Sequence, residues 1–93
     1  WDELLELTDP ELHGFIKKLA ERNCPIPEPG FELMDEKGQI IAEAELGWIE
    51  KKMAFLLSHQ LDFSSLFKQA GWKIALIDDV LNHMEKYISL LSK

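Results

Sequence analysis

Cysteine is almost missing from this chain. Cys24 is the one thiol in 93 residues, so no internal disulfide can form, and no Cys-x-x-Cys or Cys/His spacing offers a zinc site. That usage suits a reducing compartment, and a cytoplasmic location is expected. Long apolar runs are missing too. Nothing approaches the ~18 consecutive apolar residues of a membrane-spanning helix. The chain opens WDELLEL, acidic where a secretory leader is basic, and without an initiating Met; a single domain over 1–93, excised from a larger protein, is the expectation. Basic charge is scarce: Lys and Arg number 10 against 17 Asp and Glu, a net charge of −7. A surface of that sign repels bare nucleic acid unless a metal or a neighbouring domain reverses the local field. There is no Gly-rich phosphate loop, and no nucleophile elbow surrounds Ser58, Ser64 or Ser65.

What is present reads as alternating helices and strands. Residues 1–8 form a short lead-in. Thr8 and Glu11 have the spacing of a capping box, with Leu7 and Leu12 as its hydrophobic staple, and Pro10 suits the first turn. This predicts a helix from Asp9 to Arg22 with an apolar stripe of Leu12, Phe15, Ile16 and Leu19. The prolines of CPIPEPG, residues 24–30, predict an extended linker inside the domain. Two runs then flank Lys37-Gly38, where glycine permits a tight turn. With that turn, Glu36 pairs with Gln39, Met34 with Ile41, and Glu32 with Glu43. One face then carries Phe31, Leu33, Ile40, Ala42, Ala44 and Leu46; the other carries Glu32, Met34, Ile41, Glu43 and Glu45. Lys52 to Leu57 reads as a third strand. Asp62 caps a short helix that Gly71 ends. Trp72 to Ile77 reads as a largely buried fourth strand. Asp78 or Asp79 caps a last helix with a stripe of Val80, Leu81, Met84, Ile88 and Leu91. The order is α-β-β-β-α-β-α.

The acidic face of the hairpin is the most informative feature. Like charges opposed across strands destabilise by several tenths of a kcal/mol up to ~1 per pair. Glu32 against Glu43, with Glu45 two residues on, is therefore an unfavourable choice for a sheet with no use for it. Hard divalent cations accept carboxylate oxygens so spaced, and a bound cation can activate water and stabilise a phosphoryl oxygen. A solvated acidic sheet face is the plainer explanation of the same residues.

The stretch GFELMDEKGQIIAEAELGW, followed by a helix and then GWKIALIDDVLNHMEKYISLL, resembles the PD-(D/E)XK nuclease superfamily. It is similar to its small members akin to very-short-patch repair endonucleases. EAELGW also resembles a C-terminal segment of large bacterial DEAD/DEAH helicase-like proteins. The resemblance covers about residues 30–92. It implies a restriction-endonuclease-like fold, a mixed sheet flanked by helices, and a role as a nuclease-like accessory domain in DNA processing. Glu32 matches the lone acidic residue of the motif and Glu43-Ala44-Glu45 its paired segment. The resemblance thus implies Glu32, Glu43 and Glu45 as ligands of Mg²⁺ or Mn²⁺ in phosphodiester hydrolysis. Two departures stand out. The first acid is Glu rather than Asp, and Glu45 replaces the typical lysine. Lys51, Lys52 or Lys68 would have to supply the missing cation, and Lys52 is taken as the catalytic candidate. Without it the domain would be an inactive copy of the fold, docking to its parent chain or to a basic protein partner.

Other candidates carry less. Asp35 fits a loose form of the motif but reads as a turn residue. His13, His59 and His83 share no ligand spacing. Trp48 and Trp72 could stack a base, yet both sit at strand ends beside apolar residues and read as core.

Overall fold

The computed structural model describes residues 1–92 and shows a four-stranded mixed sheet flanked by helices. The chain enters through α1, Asp2–Leu7. Thr8 is buried, and its hydroxyl donates to the Leu4 carbonyl at 2.9 Å, closing that helix. Thr8 is thus unavailable as the expected cap. Asp9 takes over, accepting from the Glu11 N–H at 3.0 Å. The expected helix from Asp9 to Arg22 becomes a 3₁₀ turn, Pro10–Leu12, leading into α2, His13–Glu21. The staple does not form, because Leu7 is 63% exposed. The stripe does form: Leu12, Phe15, Ile16 and Leu19 are fully buried. Asn23 ends α2 at φ 56°. Its N–H donates to Ala20 and that of Cys24 to Leu19, satisfying the last carbonyls.

Strand β1, Glu28–Met34, begins inside the expected linker. It pairs antiparallel with β2, Ile40–Trp48, and Glu32 lies directly opposite Glu43. The turn differs from expectation. Asp35 accepts from the Lys37 and Gln39 amides at 2.8 and 2.9 Å, and its own N–H donates to the Gln39 carbonyl. The loop therefore spans residues 35–39. A register shift between Leu33 and Met34 absorbs the difference, so Met34 meets Ile40 rather than Ile41. Ile40, expected on the core face, is 51% exposed.

Strand β3, Met53–Leu56, pairs antiparallel with β2 and is buried throughout. A 3₁₀ segment, Ser58–Phe63, then precedes α3, Ser64–Gln69. Asp62 lies within that segment and does not cap α3, whose N-cap is Phe63 with no side-chain hydrogen bond; the Gln60 side chain accepts from the Leu57 N–H at 2.9 Å at the start of the 3₁₀ segment. Gly71, at φ 86°, ends α3 as expected. Strand β4, Lys73–Leu76, runs parallel to β3 at the sheet edge. It is not the largely buried strand expected: Lys73 is exposed, and Ile74 and Leu76 are half-buried. The last helix is two: α4, Ile77–Asn82, and α5, Met84–Leu91, break at His83 (φ −138°, ψ 47°). Asp78 and Asp79 lie in the first turn of α4, after Leu76 at its N-cap.

The sheet separates two apolar clusters. In one, Phe15, Ile16 and Leu19 of α2 meet Leu46, Trp48 and Phe55 of the sheet and Val80, Ile88 and Leu91 of the C-terminal helices. Phe55 is its centre, with ring centroids of Trp48, Tyr87 and Phe15 at 4.8, 5.7 and 5.8 Å. The other joins Phe31, Leu33, Ala42, Ala44, Ala54 and Leu56 to Phe67 and Trp72. Truncating a fully buried phenylalanine such as Phe55 costs about 3–5 kcal/mol, a large part of the stability of a domain this size. Strand β2 serves both clusters: its small alanines face α3, and its larger residues near Trp48 face α2.

Candidate functional site

The two exposed carboxylates of Glu32 and Glu43 are brought together by register alone. Each is flanked along its strand by buried core residues: Phe31 and Leu33 on one side, Ala42 and Ala44 on the other. Period-two alternation then forces both glutamates outward on one face. Directly paired residues have β carbons about 5 Å apart, close enough for the carboxylates to share a cation or to splay into water. Neither is joined to a basic side chain among the described residues. Glu45 lies further along β2 and is half-buried. Among the described residues no three His, Cys, Asp or Glu side chains form a group that could hold a metal ion. The three-carboxylate set is therefore not assembled. Mg²⁺ commonly uses only one or two protein carboxylates and completes its shell with water and phosphate oxygens, and Glu32 with Glu43 fits that simpler mode.

The structure does not bring Lys52 to these carboxylates. Lys52 is the residue before β3 and adopts φ 49°, while Glu45 lies beside the opposite end of that strand. At ~3.3 Å per residue the two positions are about 13 Å apart along the sheet, and Glu43 is further still. The Lys52 ammonium instead lies near Gly71, 3.8 Å from where a β carbon there would stand. Its carbonyl accepts from the Lys73 N–H at 2.8 Å. Lys51 shares the same β2–β3 turn, and Lys68 lies in the last turn of α3, just before β4 begins. All three lysines thus belong to the end of the sheet away from the hairpin tip.

The remaining candidates have structural roles. Asp35 organises the hairpin loop. Trp48 and Trp72 are buried, at 3% and 8% exposure, and the Trp48 indole N–H donates to the Pro25 carbonyl at 2.8 Å. The His83 ring nitrogen lies 3.4 Å from the Asp79 carboxylate, and His59 is exposed elsewhere. His13 is half-buried, with Nε2 lacking a hydrogen-bond partner. Sequence reasoning missed a groove of about 850 Å³ along β4 and α5, lined in part by Leu61, Ile74 and Leu90 and by Lys68, Lys73 and Lys86. These lysines come from three elements and converge only in the fold, so no spacing in the sequence could have signalled them.

No family model matches the chain, and no solved structure matches it. A curated relative is the Zorya protein ZorE of Escherichia coli, 28% identical over 85 residues. The alignment takes in 91% of this chain but 21% of that protein, so the chain spans about a fifth of its relative's length. No helix among the described residues is long and apolar enough to cross a membrane.

Proposed function

We propose that the chain is a nuclease-like accessory domain of a larger nucleic-acid-processing protein of the helicase type, its sheet arranged as in restriction endonucleases. The observation that carries this reading is the direct opposition of Glu32 and Glu43 on a solvent-facing sheet. Alignment with a fifth of a much longer protein supports a domain that works inside a larger chain. Mg²⁺ or Mn²⁺ would be held by Glu32 and Glu43, where it would polarise a phosphodiester oxygen and lower the pKa of a bound water. The protein's own part is to hold two carboxylates at fixed separation on a stiff hairpin. The net charge of −7 means that DNA would reach the site through neighbouring domains of the parent.

A second reading, a catalytically inactive docking domain of the same fold, is favoured by the place of Lys52 at the far end of β3. Its acidic face would meet a basic protein or another domain of the parent.

Mn²⁺ added to the isotopically labelled chain separates the two. The nuclease-like reading expects paramagnetic broadening concentrated at Glu32 and Glu43 and abolished in Glu32→Gln/Glu43→Gln. Metal-dependent nicking of plasmid DNA by the parent protein should disappear when it carries the same double change. Broadening spread evenly over all surface acids, with no nicking, rejects it. Salt-sensitive binding of a basic protein, lost in that variant, then supports the docking domain.

A further inference from the structure

The two edges of the sheet are built differently. On β1, Pro29 has no N–H to offer, Gly30 turns the backbone to φ 57°, and the register breaks at Leu33/Met34. These features blunt an edge against further pairing. The other edge, β4, has no proline, no bulge and a continuous register with β3 from Lys73 to Leu76. Among the described residues no strand lies beside its outer N–H and C=O groups.

The groove along this edge is apolar at its floor and basic at its rim. Ile74 and Leu76 are half-buried, and Leu61 and Leu90 are 45% and 41% exposed. Lys68, Lys73 and Lys86 surround them, three of the ten basic residues of a chain whose net charge is −7. None of these three is in a salt bridge among the described residues. Asp79, the acid among the lining residues, already accepts the Tyr87 hydroxyl and faces His83. The local sign is thus opposite to the global one. A second copy would bring its own Lys68, Lys73 and Lys86 to a groove that is already basic, so like charge disfavours self-pairing.

We propose that the β4 edge and its groove take an extended strand from a partner protein, with acidic side chains alternating with apolar ones. Backbone hydrogen bonds to β4 would add a fifth strand. Alternate side chains of the guest would pack on Ile74 and Leu76 on the α3 side, and its carboxylates would meet Lys73 and Lys86 on the α5 side. This surface lies at the opposite edge from the Glu32–Glu43 pair and stands independently of the function proposed for that pair.

The probe is a synthetic eight-residue peptide alternating glutamate with valine, titrated into the labelled chain and followed by amide shifts and hydrogen exchange. Shifts and new protection should centre on Ile74–Leu76. Lys73→Glu/Lys86→Glu should weaken binding about tenfold, and raised salt should weaken it likewise. Two peptides, each methylated at one of the two alternate sets of backbone amides, keep every side chain; the one whose methylated amides face β4 should not bind while the other does, and this arm needs no protein variant. Equal binding of both methylated peptides, or shifts centred away from β4, would overturn strand addition. Concentration-dependent self-association mapped to β4 would make a second copy the occupant and overturn the proposal as well.

Discussion

The side chain of Phe31 lies directly against Gly47: a β carbon at that glycine would stand 2.6 Å from the Phe31 Cγ and 2.7 Å from its Cβ. The ring is held there by Trp72, with centroids 4.9 Å apart, and by Phe67 at 6.3 Å. Glycine at this position is what lets the hairpin fold an aromatic residue over its own second strand.

Gly47→Ala is therefore expected to destabilise by about 1–3 kcal/mol, because the clash reaches the Phe31 Cβ and so involves the strand rather than a mobile ring tip. Urea unfolding should show a lower midpoint at an unchanged slope. Gly14→Ala is the contrast. Gly14 lies in α2 with nothing within 4 Å of the new methyl group. Alanine there should stabilise by a few tenths of a kcal/mol up to ~1. Equal effects at the two glycines would refute the packing account.

Replacing Glu43 with Lys sets an opposite charge against Glu32 and relieves the like-charge contact. Stability should rise by several tenths of a kcal/mol to ~1, and the gain should shrink in high salt. Any Mn²⁺ broadening at the hairpin should be lost together with the repulsion. A variant as stable as the wild type at low salt would mean that the two carboxylates splay into water and do not interact.

Much of this arrangement was legible in the chain. Taking Lys37-Gly38 as the turn placed Glu32 opposite Glu43, and alternation around Phe31, Leu33, Ala42 and Ala44 put both on one face, since a one-residue slip would turn one of the two carboxylates toward the core. The loop was misread because the Asp35 carboxylate binds two amides and competes with the two-residue turn that Lys37-Gly38 favours. Capping was misplaced by one residue because the Thr8 hydroxyl bonds back to Leu4 of the lead-in helix, a competition between two helices that spacing alone does not resolve. Lys52 illustrates the harder limit. Its closeness to Glu45 in sequence says nothing about distance once a turn and a whole strand intervene.

Cys24 gives a direct test of the first core cluster. It is 4% exposed and packs with the buried residues around α2. Burial raises its thiol pKa and outweighs the opposing charges of Arg22 and Lys51. The reactive thiolate is therefore both scarce and shielded. In native conditions Cys24 should resist Ellman's reagent and iodoacetamide, and it should react stoichiometrically in denaturant. Rapid labelling of the native chain would show that the segment after α2 opens readily.

The last prediction concerns Tyr87, the sole tyrosine. Its hydroxyl donates to the Asp79 carboxylate, fixing α5 against α4 across the break at His83. Burial, then the hydrogen bond and the negative charge of Asp79, push its pKa up to about 12. An unfolded tyrosine ionises near ~10. The folded chain thus holds this proton more tightly. The resulting stability is fully present below pH ~10 and is lost as pH rises through about 12. Absorbance at the phenolate band reports this one residue without assignment. The native titration should fall about two units above that of the unfolded chain. Asp79→Asn removes the charge while keeping an acceptor, so its midpoint should drop yet stay above the unfolded value, because burial is the larger cause. Tyr87→Phe should cost ~0.5–1.5 kcal/mol at neutral pH, less than a fully buried loss, since the exposed Asp79 regains water. The same variant should flatten the fall in stability between pH 10 and 12 relative to the wild type. A native titration that coincides with the unfolded one would show that the Tyr87–Asp79 contact does not hold the two helices together.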